Sequence, residues 1–200
     1  PKRFIVDVLD GSASMADILC DAPNGMRFLS GGSGLLDMLN IEKSTRYQTI
    51  RMVDELRDEA DVLIVDAPAG ASDNSIAFVA AADHVVVVLV GEPTSFLDAY
   101  SLIKAANRET NVQNFSVVVN MSRNASEARV HFNKFNAIVA RFLDVNLNFA
   151  GHLPLSNRMR RAIVQRKPIG VESQQLPENM AFMAMSKAVL ELSLIHISEP

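Results

Sequence analysis

The run Val85-Val86-Val87-Val88-Leu89-Val90 is apolar at every position rather than at alternate positions. A strand carries this pattern when both of its faces are buried, as in a parallel sheet that helices cover on each side. The run therefore predicts a strand over residues 84–90 inside an α/β domain. Similar apolar runs predict neighbouring strands at residues 26–30, 62–66, 115–120 and 147–152.

The segments between these runs have the spacing of amphipathic helices. Two capping boxes are expected to begin helices, Thr45 with Gln48 and Ser95 with Asp98. Further helices are expected at residues 5–9, 15–19 and 156–165, and from Pro177 onward. The regular alternation of strands and helices predicts a doubly wound α/β domain with a mostly parallel sheet.

Composition favours one soluble globular domain. The 200 residues are 48% hydrophobic and 21% charged, with a formal net charge of -4 that does not favour nucleic acid or an anionic membrane. Cys20 is the single cysteine, which excludes an internal disulfide and fits a reducing cytoplasm. No apolar run reaches the roughly 18 residues that a membrane-spanning helix needs.

Both ends of the chain look artificial. The chain begins Pro1-Lys2-Arg3 without a methionine, and residues 192–200 read Leu-Ser-Leu-Ile-His-Ile-Ser-Glu-Pro. The latter string is similar to a translated sequencing adapter. We therefore expect residues 1–191 to be part of a domain and residues 192–200 to be a non-native tail.

The motif that points to chemistry is Val62-Leu63-Ile64-Val65-Asp66-Ala67-Pro68-Ala69-Gly70. An apolar strand that ends in Asp66 has the layout of a Walker B strand, whose carboxylate holds the water shell of a Mg²⁺ between nucleotide phosphates. Gly70 would let the following backbone approach a γ-phosphate. The alternative is that Asp66 only caps the next turn.

Five segments together resemble the MinD/ParA deviant-Walker ATPases, and most of all their FlhG branch of flagellar-number regulators. The resemblance extends from residue 4 to about residue 191, and the stretch Glu92–Lys104 (EPTSFLDAYSLIK) is its most specific part. The other segments are residues 4–11, 24–34, 115–121 and 151–154. The resemblance implies a P-loop NTPase fold that uses ATP and Mg²⁺ and works as a homodimer.

The resemblance also implies roles for particular residues. Asp66 would be the Walker B carboxylate that holds Mg²⁺ through water, and Gly70 would lie in the loop near the γ-phosphate. Asn120 would read the edge of adenine, and Pro154 would lie in the loop that borders the same base. The alternative for Asn120 is that of an ordinary turn former at the end of a strand.

The sequence departs from the family because it contains no Gly-x-x-x-x-Gly-Lys-Ser/Thr motif. Residues 31–34 (Gly-Gly-Ser-Gly) lack the lysine of a phosphate loop, so we interpret them as a tight turn. In the family, the phosphate loop precedes the point that matches Pro1. We therefore expect a Mg-dependent ATPase as the parent and an inactive fragment in these 200 residues.

By resemblance, the parent would regulate flagellar number or placement. Its partners would be a flagellar GTPase and basal-body proteins. It would be cytoplasmic and would contact the inner membrane peripherally through a C-terminal amphipathic helix. The basic residues Arg158, Arg160, Arg161, Arg166 and Lys167 are interpreted as a solvated face, and DNA binding is not expected. Two alternatives stay open, a ParA-type partition ATPase and a non-catalytic relative.

Overall fold

A computed structural model describes residues 3–29, 51–52, 56, 60–67 and 69–197 of the chain. The chain divides into two compact units, residues 1–67 and residues 68–200. The expected helix beginning at Thr45 and the expected turn at residues 31–34 lie outside the described residues.

In the first unit, two short helices precede a small hairpin. The helices are α1 (Ile5–Leu9) and α2 (Met15–Ile18), and the antiparallel strands are β1 (Leu19–Asp21) and β2 (Arg27–Leu29). Ile5, Met15, Ile18 and Leu56 form its buried cluster. The expected helices are confirmed. β1 was not expected, because the helix expected at residues 15–19 includes Leu19.

The second unit contains a parallel sheet in the order β3-β4-β5. The strands are β3 (Val86–Leu89), β4 (Asn114–Ser122) and β5 (Asn146–Pro154). Each one coincides with an apolar run of the sequence, so three of the expected strands and the parallel α/β architecture are confirmed. The sheet's strand order equals the chain order, which short helical crossovers permit.

Five helices accompany this sheet. They are α3 (Asp73–Ala81), α4 (Pro93–Thr110), α5 (Ala125–Phe142), α6 (Asn157–Gln165) and α7 (Pro177–Ile197), with a 3₁₀ turn at Ile169–Val171. Phe115 of β4 and Phe135 of α5 are both fully buried, and removing either ring is expected to cost about 3–5 kcal/mol. In the described part of the chain, no helix has the length and apolar character needed to cross a membrane.

The expectation that β3 is buried on both faces is wrong. Val87 and Leu89 are buried, but Val86 and Val88 are 41% and 58% exposed. The buried pair faces the core shared with α4 and α5. On the other face, α7 packs against β5, and no helix among the described residues covers β3.

The expected strand at residues 62–66 is also wrong, because residues 62–67 have no regular secondary structure. The four apolar residues Val62–Val65 are all exposed, with Ile64 at 87%. A strand needs a hydrogen-bonded neighbour, and the described strands of this unit, β1 and β2, pair with each other. Asp66 therefore does not end a strand here.

The expected capping box of Ser95 and Asp98 is wrong as well. Helix α4 begins at Pro93 with Glu92 as its N-cap residue. The Ser95 hydroxyl instead accepts a hydrogen bond from the Val90 N–H at 3.0 Å. The ring of Pro93 fixes the helical φ at the first position, which begins the helix before Ser95.

Candidate functional site

The carboxyl ends of β4 and β5 form the edge of the sheet where ligands of α/β proteins bind. Asn120 lies near the end of β4, and Pro154 is the last residue of β5. The two strands are neighbours, with Val119 opposite His152 and Ser122 opposite Pro154. The structure thus brings two of the candidate residues to adjacent strands at one edge.

The backbone around Asn120 is irregular. Its side-chain Oδ1 accepts a hydrogen bond from the Met121 N–H at 2.8 Å, and Met121 has a positive φ of 57°. This local bond agrees with the turn-forming alternative. However, the Nδ2 group of Asn120 makes no hydrogen bond within the described residues, and Oδ1 keeps a second lone pair. The half-buried amide can therefore still donate to and accept from the edge of a base.

The loop that begins at Pro154 is tied to β4 through Ser122. The Leu155 N–H donates to the Ser122 carbonyl at 2.9 Å, and the Ser122 hydroxyl donates to the Leu153 carbonyl at 3.5 Å. Ser122 is only 2% exposed. These bonds fix the backbone of residues 153–155 relative to the strand that carries Asn120.

Gly70 lies in the second unit, shortly before α3. Its φ of 89° is in the region that favours glycine, and a β-carbon built there would meet nothing within 4 Å. The requirement for glycine is therefore one of backbone conformation rather than of space. Helix α3 begins after Ser72, whose hydroxyl accepts a hydrogen bond from the Ser75 N–H at 3.2 Å.

Asp66 belongs to the first unit, whereas Gly70, Asn120 and Pro154 belong to the second. Its carboxylate is exposed. Within the described residues, no three His, Cys, Asp or Glu side chains form a metal-binding group. A Mg²⁺ ion that is held by one carboxylate through water and by phosphate oxygens does not need such a group.

An ion pair that the sequence analysis missed begins three residues after Asn120. The Glu127 carboxylate accepts hydrogen bonds from the Arg123 backbone N–H at 2.6 Å and from the Arg123 Nε at 2.8 Å. These bonds lower the pKa of Glu127 below its ordinary value and raise the pKa of Arg123. Asn124 caps α5 by accepting from the Glu127 N–H at 2.9 Å. The spacing Asn124-x-x-Glu127 was a readable signal of this cap.

A sequence model of the ParA family, described as the NUBPL iron-transfer P-loop NTPase, matches residues 47–190. The chain belongs to the ParA/MinD family of P-loop NTPases. All four candidate residues, Asp66, Gly70, Asn120 and Pro154, lie inside the matched range. The family expected from the sequence motifs is therefore confirmed.

Two relatives within the ParA/MinD family carry flagellar names. The chain is 34% identical over 189 residues to the antiactivator FleN of Pseudomonas aeruginosa. The aligned region covers 94% of this chain and 68% of FleN. It is 25% identical over 166 residues to the flagellum site-determining protein YlxH of Helicobacter pylori. That aligned region covers 82% of this chain and 56% of YlxH. The chain thus spans roughly two thirds or less of the length of these relatives.

Solved structures of the family confirm the fold. The septum site-determining protein MinD of Pyrococcus horikoshii, complexed with Mg-ADP, superposes with a TM-score of 0.70. The alignment covers 96% of this chain and 75% of that MinD chain at 14% identity. At this identity the likeness supports the MinD/ParA fold alone.

Proposed function

We propose that these residues form the core of an ATP-hydrolysing switch protein that regulates flagellar number or placement. The observation that carries this proposal is the 34% identity with the antiactivator FleN along 94% of the chain. The name of a second relative, flagellum site-determining protein YlxH, supports the same branch. The stretch Glu92–Lys104, which contains the N-cap and the first two thirds of α4, carries the most specific part of the resemblance.

The proposed ligands are ATP and Mg²⁺. The donors and acceptors of the Asn120 amide fit the edge of adenine, and the loop at Pro154 lies on the neighbouring strand. Gly70 would border the γ-phosphate, and Asp66 would hold Mg²⁺ through water. The metal would supply charge neutralisation at the β- and γ-phosphates, while these residues would position the nucleotide. MinD of P. horikoshii, which has this fold, is described as a complex with Mg-ADP.

The 200 residues contain no Gly-x-x-x-x-Gly-Lys-Ser/Thr motif. The proposed hydrolysis therefore belongs to a gene product that combines these residues with a phosphate-binding loop. We assign that product an ATP-dependent homodimer as its active state. A flagellar GTPase and basal-body proteins are its proposed partners. Its proposed location is the cytoplasm, with a peripheral contact at the inner membrane.

A second candidate function is ATP-dependent DNA partition of the ParA type. One observation favours it: Arg160, Arg161, Arg166 and Lys167 are all exposed on or just after α6, and no ion pair of theirs occurs in the described part of the chain. Exposed cations of this kind bind DNA phosphates without regard to sequence. The net charge of -4 argues against a large DNA-binding surface.

Two measurements on the complete gene product that contains these residues separate the candidates. The first is fluorescence anisotropy with nonspecific duplex DNA, with and without ATP, at low and moderate salt. The second is the number of flagella per cell after deletion of the gene in its host. A flagellar regulator changes flagellar number and does not bind the DNA. Tight, ATP-dependent and salt-sensitive binding with normal flagellation would move the assignment to partition.

A further inference from the structure

A buried carboxylate lies between the start of α6 and the start of α7. Glu178, in the first turn of α7, is 5% exposed, and its Oε1 accepts a hydrogen bond from the Ser156 hydroxyl. Its Oε2 lies 3.6 Å from the Arg158 Nη1 and accepts no hydrogen bond within the described residues. A carboxylate at this depth is costly unless such partners hold it, so its orientation is set by Ser156 and Arg158.

The hydroxyl of Ser156 uses all of its hydrogen-bonding positions in these contacts. Its hydroxyl oxygen accepts from the backbone N–H groups of Arg158 at 3.1 Å and Met159 at 3.2 Å, which caps α6. Its single proton goes to the Glu178 carboxylate. A serine hydroxyl offers one donor and two acceptor positions, and all three are used here.

These contacts hold one end of the loop that begins at Pro154. The other end is held by Ser122, which bonds the backbone of Leu153 and Leu155 as described above. The chain between β5 and α6 is therefore fixed on one side by β4, two residues after Asn120, and on the other side by α7. Without the bond to Glu178, only the hydrogen bonds to Ser122 would connect this loop to another part of the unit within the described residues.

We propose that Glu178 is a positioning residue for the base-binding loop, which it orients through Ser156. The inference rests on the proposed function, in which the Pro154 loop borders the base of a purine nucleotide. Glu178 then acts on affinity for the base and on discrimination between adenine and guanine. It should leave the transfer of the γ-phosphate unchanged, because its carboxylate contacts Ser156 and Arg158 and acts on the base-binding loop.

The neighbouring residue supplies a matched control. Asn179 is also 5% exposed, and its Nδ2 donates to the carbonyls of Ile169 and Ser173 at 3.0 Å. These bonds hold the 3₁₀ turn before α7 and do not involve Ser156. Asn179→Ala therefore removes a buried polar side chain from the same turn of α7 while leaving the base-binding loop's own contacts in place.

The test compares Glu178→Ala, Ser156→Ala, the double variant, Glu178→Gln and Asn179→Ala in the complete gene product. Calorimetry gives the Kd for ADP and GDP, steady-state kinetics give KM and kcat for ATP, and thermal melting gives Tm. We expect Glu178→Ala and Ser156→Ala each to raise the Kd for ADP and the KM for ATP about 10-fold, the loss of one charge-assisted hydrogen bond. The ratio of the Kd for GDP to the Kd for ADP should fall, with kcat within about 2-fold of wild type.

The double variant should match each single variant in base discrimination, because each already removes the bond between Ser156 and Glu178. Ser156→Ala and the double variant also lose the cap of α6 and should therefore have the lower Tm. Glu178→Gln keeps an acceptor for Ser156 and should retain base discrimination. Asn179→Ala should lower Tm without changing the ratio. If Glu178→Ala does not fold, Ser156→Ala provides the same comparison at the half-buried start of α6.

The following outcomes would contradict the inference. Unchanged base discrimination in the Glu178→Ala or Ser156→Ala protein overturns the positioning role, and so does an equal change in the Asn179→Ala protein. A wild-type product that binds neither ADP nor ATP overturns the proposed function and this inference with it. If the wild-type product binds ADP and the Glu178→Ala protein has the same affinity and the same base discrimination, the proposed function stands and only the inference is overturned.

Discussion

The imidazole ring of His131 lies directly against Gly91. A β-carbon built on Gly91 would stand 2.4 Å from both the Cε1 and the Nε2 atoms of this ring. Gly91 follows β3, and His131 lies in the middle of α5, so the contact joins the loop at the carboxyl end of β3 to a helix that packs on the sheet. Real β-carbons do not approach ring atoms this closely, so either the loop or the ring must move to admit one.

We expect Gly91→Ala to lower the free energy of unfolding by about 1–3 kcal/mol, the usual cost of overpacking. The effect should shrink in a His131→Ala background, where the ring is absent. Urea unfolding of wild type, Gly91→Ala, His131→Ala and the double variant, each in the complete gene product, gives the coupling energy between the two positions. Gly170→Ala is the matched control, because a β-carbon there meets nothing within 4 Å. Equal losses for Gly91→Ala with and without His131 would contradict the contact.

The second prediction concerns acid stability at Glu178. Hydrogen bonds from Ser156 and from its own backbone N–H, together with the charge of Arg158, hold the pKa of Glu178 below its ordinary value of 4.5. A carboxyl with a lowered folded-state pKa contributes stability that is present above its unfolded pKa and is lost as the pH falls through the folded pKa.

Wild type should therefore melt above Glu178→Gln at pH 7, and the difference in Tm should close as the pH falls below 4.5. Thermal melting of both proteins between neutral and acidic pH measures this difference. A gap that stays constant across the range would mean that the charge of Glu178 contributes nothing to stability.

The third prediction concerns Asp66 in the complete gene product. Loss of a carboxylate that orients Mg²⁺ should affect charge neutralisation in the transition state more than docking of the nucleotide. We expect Asp66→Ala to reduce kcat by about 100-fold or more while the Kd for ADP changes little. Asp61→Ala, in the same exposed segment, is the control and should behave as wild type. Near-normal turnover by the Asp66→Ala protein would show that the Walker B assignment is wrong.

The fourth prediction concerns the exposed apolar side chains of the 200-residue chain. Val86 and Val88 project from one face of β3, and Ile64 is 87% exposed in the other unit. Uncovered apolar surface of this kind promotes association. We expect residues 1–200 to express poorly and to elute as aggregates in size-exclusion chromatography.

Replacing Val86 and Val88 with threonine should raise the monomer fraction, because threonine keeps the β-branched shape that suits a strand. Val87→Thr is the counterpart on the buried face and should destabilise the unit instead. A monodisperse wild-type monomer with a cooperative thermal transition would contradict this prediction.

Much of the second unit could be predicted from the sequence because its signals are local. The apolar runs of β4 and β5, the N-cap Ser156 and the first-turn proline Pro177 each act within a few residues. The resemblance implied that Asn120 and Pro154 border one base, and the structure has them on adjacent parallel strands at one edge of the sheet.

The other features could not be predicted, because they depend on hydrogen-bonding partners that the local sequence does not identify. The run Val62–Val65 has the composition of a strand, but a strand forms only where a neighbour supplies its hydrogen bonds. Ser95 has two uses, as a helix cap and as an acceptor for the Val90 N–H, and only the position of Pro93 decided between them. The bond between Ser156 and Glu178 joins residues 22 positions apart, so no local pattern could have revealed it.

The order β3-β4-β5 has a consequence for biosynthesis. Asn114 and Asn146, which begin β4 and β5, are paired in the sheet and lie 32 residues apart in the chain. At roughly 5–20 residues per second, a ribosome delivers β5 about 2–6 s after β4. During that interval the nascent chain exposes the edge of β4 that β5 later covers. We therefore expect pairing to follow the order of translation, so that the strand that carries Pro154 is the last of the three to be added.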